Sequence, residues 1–295
     1  MRSFALSVLC ALLLSGSGSF LCAQTAAPGT GSPQSAPAAP VSAPRDSAAL
    51  ARIDSLLLRY VGAIITEPVE SKERECEFLI GTAKDPELKR HIALKLYDHY
   101  KDSPLMGDEA VAIYIYDHWF ADGSIPMRGE FDKLEADMFA GLNRQTLLGM
   151  RAPKLRFRTP CGRGKTIPVD GRTAVLYFFD TSCAKCKLES AVLPGILDGA
   201  GFPLNFYAIY AGQDRKAWAE FRKAFRCKSK DVKVVHLWDP KVKSDFLRTY
   251  GVLSTPRLYV VEPQGSILGR RLEAENLQEL LPVAATIQRA WEQSR

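Results

Sequence analysis

The uncharged run Ala174-Val175-Leu176-Tyr177-Phe178-Phe179 is followed closely by Cys183-Ala184-Lys185-Cys186. A run this short and continuous reads as a central strand buried on both faces. The residues from Cys183 onward read as a helix, so the strand delivers Cys183 to a helix N-terminus, where the peptide dipole favours a thiolate. Far along the chain, Thr255-Pro256 precedes a second apolar run, Arg257 to Val261. Thiol–disulfide chemistry needs such a second backbone segment close to the sulfurs. A C-x-x-C pair can also be half of a zinc site. That reading needs two more ligands, and only Cys161, Cys227 and His236 are near in sequence, with no second C-x-x-C or H-x-x-H. The pair is therefore read as redox-active, with no cofactor beyond the disulfide itself and no metal.

The N-terminus reads as a cleavable export signal over residues 1–23. Arg2 supplies the positive end, Phe4 to Leu14 an apolar stretch too short to span a bilayer comfortably, and Ala23 the cut. Two alternatives are an uncleaved anchor and lipidation at Cys22, although Leu21 stands where a lipidation site needs a small residue. Cleavage removes Cys10 and Cys22 from the 7 cysteines and leaves Cys76, Cys161, Cys183, Cys186 and Cys227. An odd number in an oxidising compartment means at least one free or transient thiol. The expected location is the periplasm or another extracytoplasmic space, with no integral membrane segment in the mature chain. The net charge of +6 comes from Lys and Arg interleaved with acids, so it describes a solvated surface and no nucleic-acid site.

Residues 24–45 are Ala, Pro, Ser, Gly and Thr almost throughout, with nothing large to bury, and read as a disordered tether. Residues 46–147 carry helical periods: Leu50, Ile53, Leu57 and Val61; then Cys76, Leu79, Ile80 and Ala83; then Leu88, Ile92, Leu96 and Tyr100 after an Asp85-Pro86 helix start; then Val111, Tyr114, Ile115 and Trp119; then Phe131, Leu134, Met138 and Leu142. This is the pattern of a small all-α domain of about five helices, its aromatic residues read as core. His91, His99 and His118 have no metal-ligand spacing and read as structural or exposed.

From residue 148 to 295 short apolar strands alternate with helices. Strands are expected near 154–158, 165–169, 174–179, 204–211, 232–238, 257–261 and 266–271. Helices are expected from Cys183, over 214–225 with Ala217, Phe221, Ala224 and Phe225 on one face, over 245–250, and over 275–291 with a kink or break at Pro282.

Beyond this order, the block Phe178 to Glu189, the lead-in Gly149-Met150-Arg151-Ala152-Pro153, the block Tyr250-Gly251-Val252-Leu253-Ser254-Thr255-Pro256, and Val261 to Gly265 resemble the exported, membrane-linked TlpA/ResA-like group of the thioredoxin superfamily. The resemblance implies an α/β thioredoxin-like domain, a central sheet flanked by helices, preceded by the small all-α domain. It implies that Cys183 is the nucleophile, its thiolate favoured by the helix N-terminus and by Lys185, and that Cys186 resolves the mixed disulfide. Glu189, on the same helix face as Cys186, would tune the thiols and handle protons; the alternative is an ordinary exposed glutamate. Pro256 would be cis, and Thr255 would pair with a substrate strand. The resemblance also implies a reductase drawing electrons from a membrane thiol carrier and acting on oxidised extracytoplasmic proteins.

The departures from that group bear on substrate and potential. Ser182 replaces the usual tryptophan before the first cysteine, which should open the substrate side of the site. Lys185 replaces the usual proline between the cysteines. Tyr177 stands where cytosolic thioredoxins carry a buried aspartate, and Ala191 where a helix proline is usual, with Pro194 three residues later. Cys161 and Cys227 are either a second disulfide or two free thiols, and Cys76 lies on an apolar stripe as a buried, inert thiol. A peroxidase is excluded because Asp180 and Leu176 stand where a peroxiredoxin needs Thr and Pro. Copper delivery fits poorly, because that branch uses a wider cysteine spacing and a distal histidine. The competing class is a non-enzymatic envelope-binding protein on a thioredoxin-like scaffold.

Overall fold

The structure is a computed structural model that describes residues 47–295. The expected signal (1–23), tether (24–45) and Asp46 lie outside the described residues.

Helices α1 (Ser47–Ala63), α2 (Val69–Thr82), α3 (Pro86–Lys101), α4 (Asp108–Ile115) and α5 (Glu130–Asn143) form the N-terminal layer. α4 runs on into a π-helical turn, Tyr116–Phe120. Asp85 starts α3 by accepting the Leu88 N–H at 3.0 Å, with Pro86 in the first turn. The core of this layer is built from the expected stripes of α1 to α4, including Leu57, Val61, Cys76, Leu79, Ile92 and Val111. Within it, Lys72 on α2 reaches Asp108 on α4 at 2.6 Å, and Ser103 donates to the same carboxylate at 2.6 Å, so this buried charge pair is fully partnered.

The fifth stripe is a correction. Phe131, Leu134 and Met138 face solvent at 80%, 55% and 54% exposure, while Ala136, Ala140 and Asn143 turn inward. The acids of α5 are drawn to partners in the protein: Asp132 to Arg128, Glu135 to Lys101, and Asp137 to the Tyr116 hydroxyl. Ala136 and Ala140 join the core and Phe139 packs against it, so a narrow face of small residues orients this helix and the acids pair along its flanks.

The second half forms one seven-stranded sheet in the order β2-β1-β5-β4-β3-β6-β7. The strands are β1 (Leu155–Arg158), β2 (Gly164–Ile167), β3 (Thr173–Phe179), β4 (Leu204–Tyr210), β5 (Val232–Trp238), β6 (Arg257–Val261) and β7 (Ile267–Leu272). β3, β4 and β5 run parallel, and β6 pairs with β3 antiparallel. Every residue of β3 and β4 is buried. Val175, Tyr177 and Phe179 pack under α6 (Ala184–Asp198), α7 (Arg215–Ala224) and α9 (Ala274–Gln293). Ala174, Leu176 and Phe178 face α8 (Phe246–Thr249) and Tyr250. Gln288 of α9 fastens the base of β3 by accepting the Thr173 N–H at 2.7 Å.

Two further differences from the sequence reading have local causes. α9 continues through Pro282 instead of breaking there, because Leu277, Leu281 and Ala284 hold both halves on the sheet core. On α7 the most buried side chain is Trp218, packed on Trp238, while the expected Ala217 and Phe221 sit at the margin.

Arg270 on β7 joins the two layers. Its Nη1 donates to Glu109 at 2.5 Å and its Nη2 to Asn143 Oδ1 at 2.7 Å, with side-chain exposures of 1% and 17% for the ion pair. Removing one member of such a pair strands the other charge out of water. Arg270→Ala is therefore expected to destabilise the chain by about 3 kcal/mol. Chemical denaturation read by circular dichroism checks it, and a loss under about 1 kcal/mol would refute the role.

Candidate active site

Cys183 is the N-cap of α6 and Cys186 lies in the first turn, so the strand–helix junction read from the sequence brings both sulfurs to the helix N-terminus. All five described cysteines are free thiols, so this is the dithiol form. The Cys186 backbone N–H donates to Cys183 Sγ at 3.2 Å, and Cys183 Sγ donates to the Thr255 carbonyl at 3.3 Å. The Thr255–Pro256 peptide bond is cis. Cys186 is 1% exposed and receives the Asp180 N–H at 3.5 Å, while Cys183 is partly open to solvent.

This difference in setting separates the two thiols. Burial pushes the Cys183 thiol up, but hydrogen bonds from the Cys186 thiol and N–H outweigh it and leave Cys183 below the ordinary value. Burial pushes Cys186 up to about 12, against the Asp180 N–H. The proton therefore leaves Cys183 first, and one sulfur is a ready nucleophile while the other is held in reserve.

Glu189 is 6% exposed, and its Oε2 has no hydrogen-bond partner. Burial raises its carboxyl above the usual range, against the Ala274 N–H and the Lys185 charge. The alternative of an ordinary exposed glutamate is thereby corrected, because α9 covers this turn of α6. Lys185 also departs from expectation. Its ammonium is exposed and binds Glu273 at the start of α9 rather than a sulfur, and what Lys185 offers Cys183 is its backbone N–H. Ser182 gives its N–H and hydroxyl to Asp180 Oδ1, both at 2.7 Å. A cleft of about 900 Å³ lies between α6 and α7, lined by Ser182, Cys186, Pro194, Phe221 and Phe225.

The sequence reading named Tyr177 and Asp180 but not their hydrogen-bonding roles here, and it did not single out Glu273. Tyr177, on β3 beneath the cysteines, donates to the Cys186 carbonyl at 3.1 Å and lies 3.0 Å from Ser190 Oγ. Asp180 organises the turn into α6 through Ser182. Glu273 captures Lys185 from 88 residues away in sequence. Tyr177 was marked by its position at the site, and Asp180 carried a local signal, an acidic residue shortly ahead of a helix start. The bond to Glu273 exists only through tertiary packing.

Cys161 and Cys227 are not bonded. Cys161 is exposed beside Thr159 Oγ1 at 3.2 Å, and Cys227 donates to Asp198 at 3.1 Å. Burial, then Asp198, raises Cys227 to about 11. Burial raises Cys76 to about 12, in keeping with a thiol sealed in the helical core. Among the described residues no group of three or more His, Cys, Asp or Glu side chains is placed to hold a metal ion. No described helix is long and apolar enough to cross a membrane.

No family model matches the chain, and no curated protein matches it. Solved structures do match. A thioredoxin-like protein from Bacteroides caccae aligns at 16% identity and a TM-score of 0.56, over 80% of this chain and 82% of its own. The thioredoxin domain of a thiol-disulfide oxidoreductase from Bacteroides vulgatus aligns at 16% identity over 47% of this chain and 97% of its own, with a TM-score of 0.41. A thiol:disulfide interchange protein from Bacteroides sp. aligns at 18% identity over 48% of this chain and 92% of its own, with a TM-score of 0.40. The overlap with the Bacteroides caccae protein is too long to come from the sheet half alone. The chain thus has a thioredoxin-like fold preceded by a helical layer.

Proposed function

We propose that this protein is an extracytoplasmic thiol–disulfide oxidoreductase that works as a reductase of oxidised proteins. The observation that carries the reading is the asymmetry of the Cys183/Cys186 pair at the N-terminus of α6, with the Thr255 carbonyl 3.3 Å from Cys183 Sγ. The Cys183 thiolate attacks one sulfur of a partner disulfide. That S–S bond breaks, a Cys183–partner bond forms, and the departing thiolate takes a proton. Cys186 then loses its proton and attacks Cys183 Sγ. The partner leaves as a dithiol, having gained two electrons, and a Cys183–Cys186 disulfide remains. A dithiol donor at the membrane restores the pair by the same exchange in reverse. Glu189, buried and holding its proton above the usual range, is the group in this turn suited to take and return the Cys186 proton. Thr255, Pro256 and Ser182 border the side from which the partner strand approaches. The export signal read in residues 1–23 supports the location.

Three measurements test this reading. Iodoacetamide trapping across pH, read by mass spectrometry, should give Cys183 a midpoint below the ordinary thiol value of about 8.5 and leave Cys186 unreacted well above it. Equal midpoints for the two thiols would remove the assigned roles. Turnover of a protein disulfide under dithiothreitol should fall to background in Cys183→Ser, whereas Cys186→Ser should accumulate a mixed disulfide at Cys183. Full turnover in Cys183→Ser, or unaltered partner binding with no turnover in the wild type, would assign the chain to binding rather than catalysis. Glu189→Gln should slow release from the mixed disulfide by about 100-fold while leaving the Cys183 alkylation midpoint in place. An unchanged release rate would take the proton role from Glu189.

A further inference from the structure

The sheet has an open side at β5. β1 pairs with β5 only at Arg158 and Trp238, so from Val232 to Leu237 the outer side of β5 has no strand partner among the described residues. Its parallel ladder to β4 engages alternate residues and leaves the N–H and C=O groups of the others pointing away from the sheet. The mixing of charges expected from the sequence fails here. The β1–β2 hairpin (155–167) and the stretch from the end of α7 through β5 (222–238) hold ten Lys and Arg and one acid, Asp231. The rest of the chain holds 29 Lys and Arg against 32 Asp and Glu, so the whole positive excess of the molecule sits at this edge.

Contacts hold the basic elements beside the edge strand. Arg222 lies over the Trp218 ring at 4.5 Å, Trp218 packs on Trp238 of β5, and Phe221 and Phe225 meet His236 of β5 edge-on. Eight of the ten cations are exposed, Lys165 and Arg222 being half-buried, and none of the ten forms an ion pair among the described residues. The acids nearby are engaged elsewhere. Asp170 binds Arg151 and Lys154, Asp198 accepts the Lys228 and Ser229 N–H groups, and buried Asp239 accepts the Ser244 N–H at 2.6 Å. Asp214 caps α7, and Glu220 lines the cleft toward α6.

We infer that the β5 edge takes up an extended acidic segment of another polypeptide as an added strand. The segment's backbone completes the ladder, and its carboxylates meet the Lys and Arg side chains around it. Charge and backbone together select this occupant. A phosphate surface, on a bilayer or a duplex, answers the charge and leaves the outward N–H and C=O groups of β5 to water. A second copy sets one basic edge against another, which like charges oppose. The chain's own residues 24–45 contain no Asp or Glu. In the sheet, β4 and β3 stand between this edge and β6, so a strand held here leaves the Thr255 side of Cys183 open. The inference goes beyond thiol exchange and stands independently of it.

The test titrates the full chain into a fluorescein-labelled octapeptide of alternating Glu and Thr, read by anisotropy at low salt. Saturable binding is expected, with hydrogen exchange slowed across residues 232–237 in the complex. The Lys228→Glu/Lys230→Glu/Lys233→Glu variant should bind about tenfold more weakly. The same peptide N-methylated at all its amides should bind the wild type about tenfold more weakly, a comparison that needs no variant to fold. No binding to the wild type overturns the inference, as does equal binding to wild type and variant. An N-methylated peptide held as tightly as its parent reduces the edge to a charge effect and overturns strand addition. Phosphatidylglycerol vesicles or duplex DNA that bind the wild type and not the variant, with no peptide binding, assign the edge to a phosphate surface and also overturn it. A wild-type dimer that the variant splits assigns the edge to a second copy, with the same consequence.

Discussion

Strand β3 has no side in contact with water, and the geometry of the site descends from that constraint. A strand buried on both faces cannot slip by one residue without moving each side chain into the opposite core. Tyr177 is stacked on Phe179 beneath α6, while Phe178 packs on Phe246 and Tyr250 on the far side. The end of β3 is thereby held from two directions, and the chain leaving it at Asp180 has one path into α6. Cys183 arrives at the helix N-terminus because the strand before it is immobilised.

The same burial separates the thiols. A single turn of helix carries Cys186 inward beneath Asp180 and leaves Cys183 at the edge. Desolvation then acts unequally on two chemically identical groups, and the hydrogen bonds of the helix N-terminus add to the difference. Tyr177 takes no charge at working pH, since burial raises its hydroxyl far above the usual range. It acts beneath the pair as a hydrogen-bond donor to the backbone, where a buried acid would add a competing negative charge.

The helical layer meets the sheet at β7 and at the Gly251 turn, where the Leu142 carbonyl approaches. Arg270 closes onto Glu109 and Asn143. Its neighbour Arg271 sits at φ 53°, a conformation few side chains adopt, and places its guanidinium against the position where the loop begins at Gly251. Neither arginine belongs to the cysteine turn; Arg270 ties β7 to the helical layer, and Arg271 lies close to Gly251.

The sheet half was legible because its signals are local and strong. An uncharged run with a C-x-x-C at its end, and Thr-Pro before the apolar run that ends at Val261, need strand periodicity and helix capping and little else. Most of the helical layer was legible for the same reason, since the stripes of α1 to α4 are core apart from Leu50 and Tyr114, which stay half-buried outside it. The α5 stripe misled, because the face that packs inward is the small one of Ala136 and Ala140, and hydrophobic period alone gave the larger side chains precedence. Lys185 misled likewise: beside two cysteines in sequence, it is claimed in space by Glu273. By itself the sequence determined the element order and the pair of sulfurs at a helix N-terminus, since each depends on neighbours along the chain, while the proline segment opposite them was read only through the family resemblance. Only the tertiary structure decided the burial of Glu189, the separate fates of Cys161 and Cys227, the partner of Lys185 and the outward face of α5. Those depend on which distant groups come within hydrogen-bond reach and which surfaces lose their water, and no local pattern encodes either.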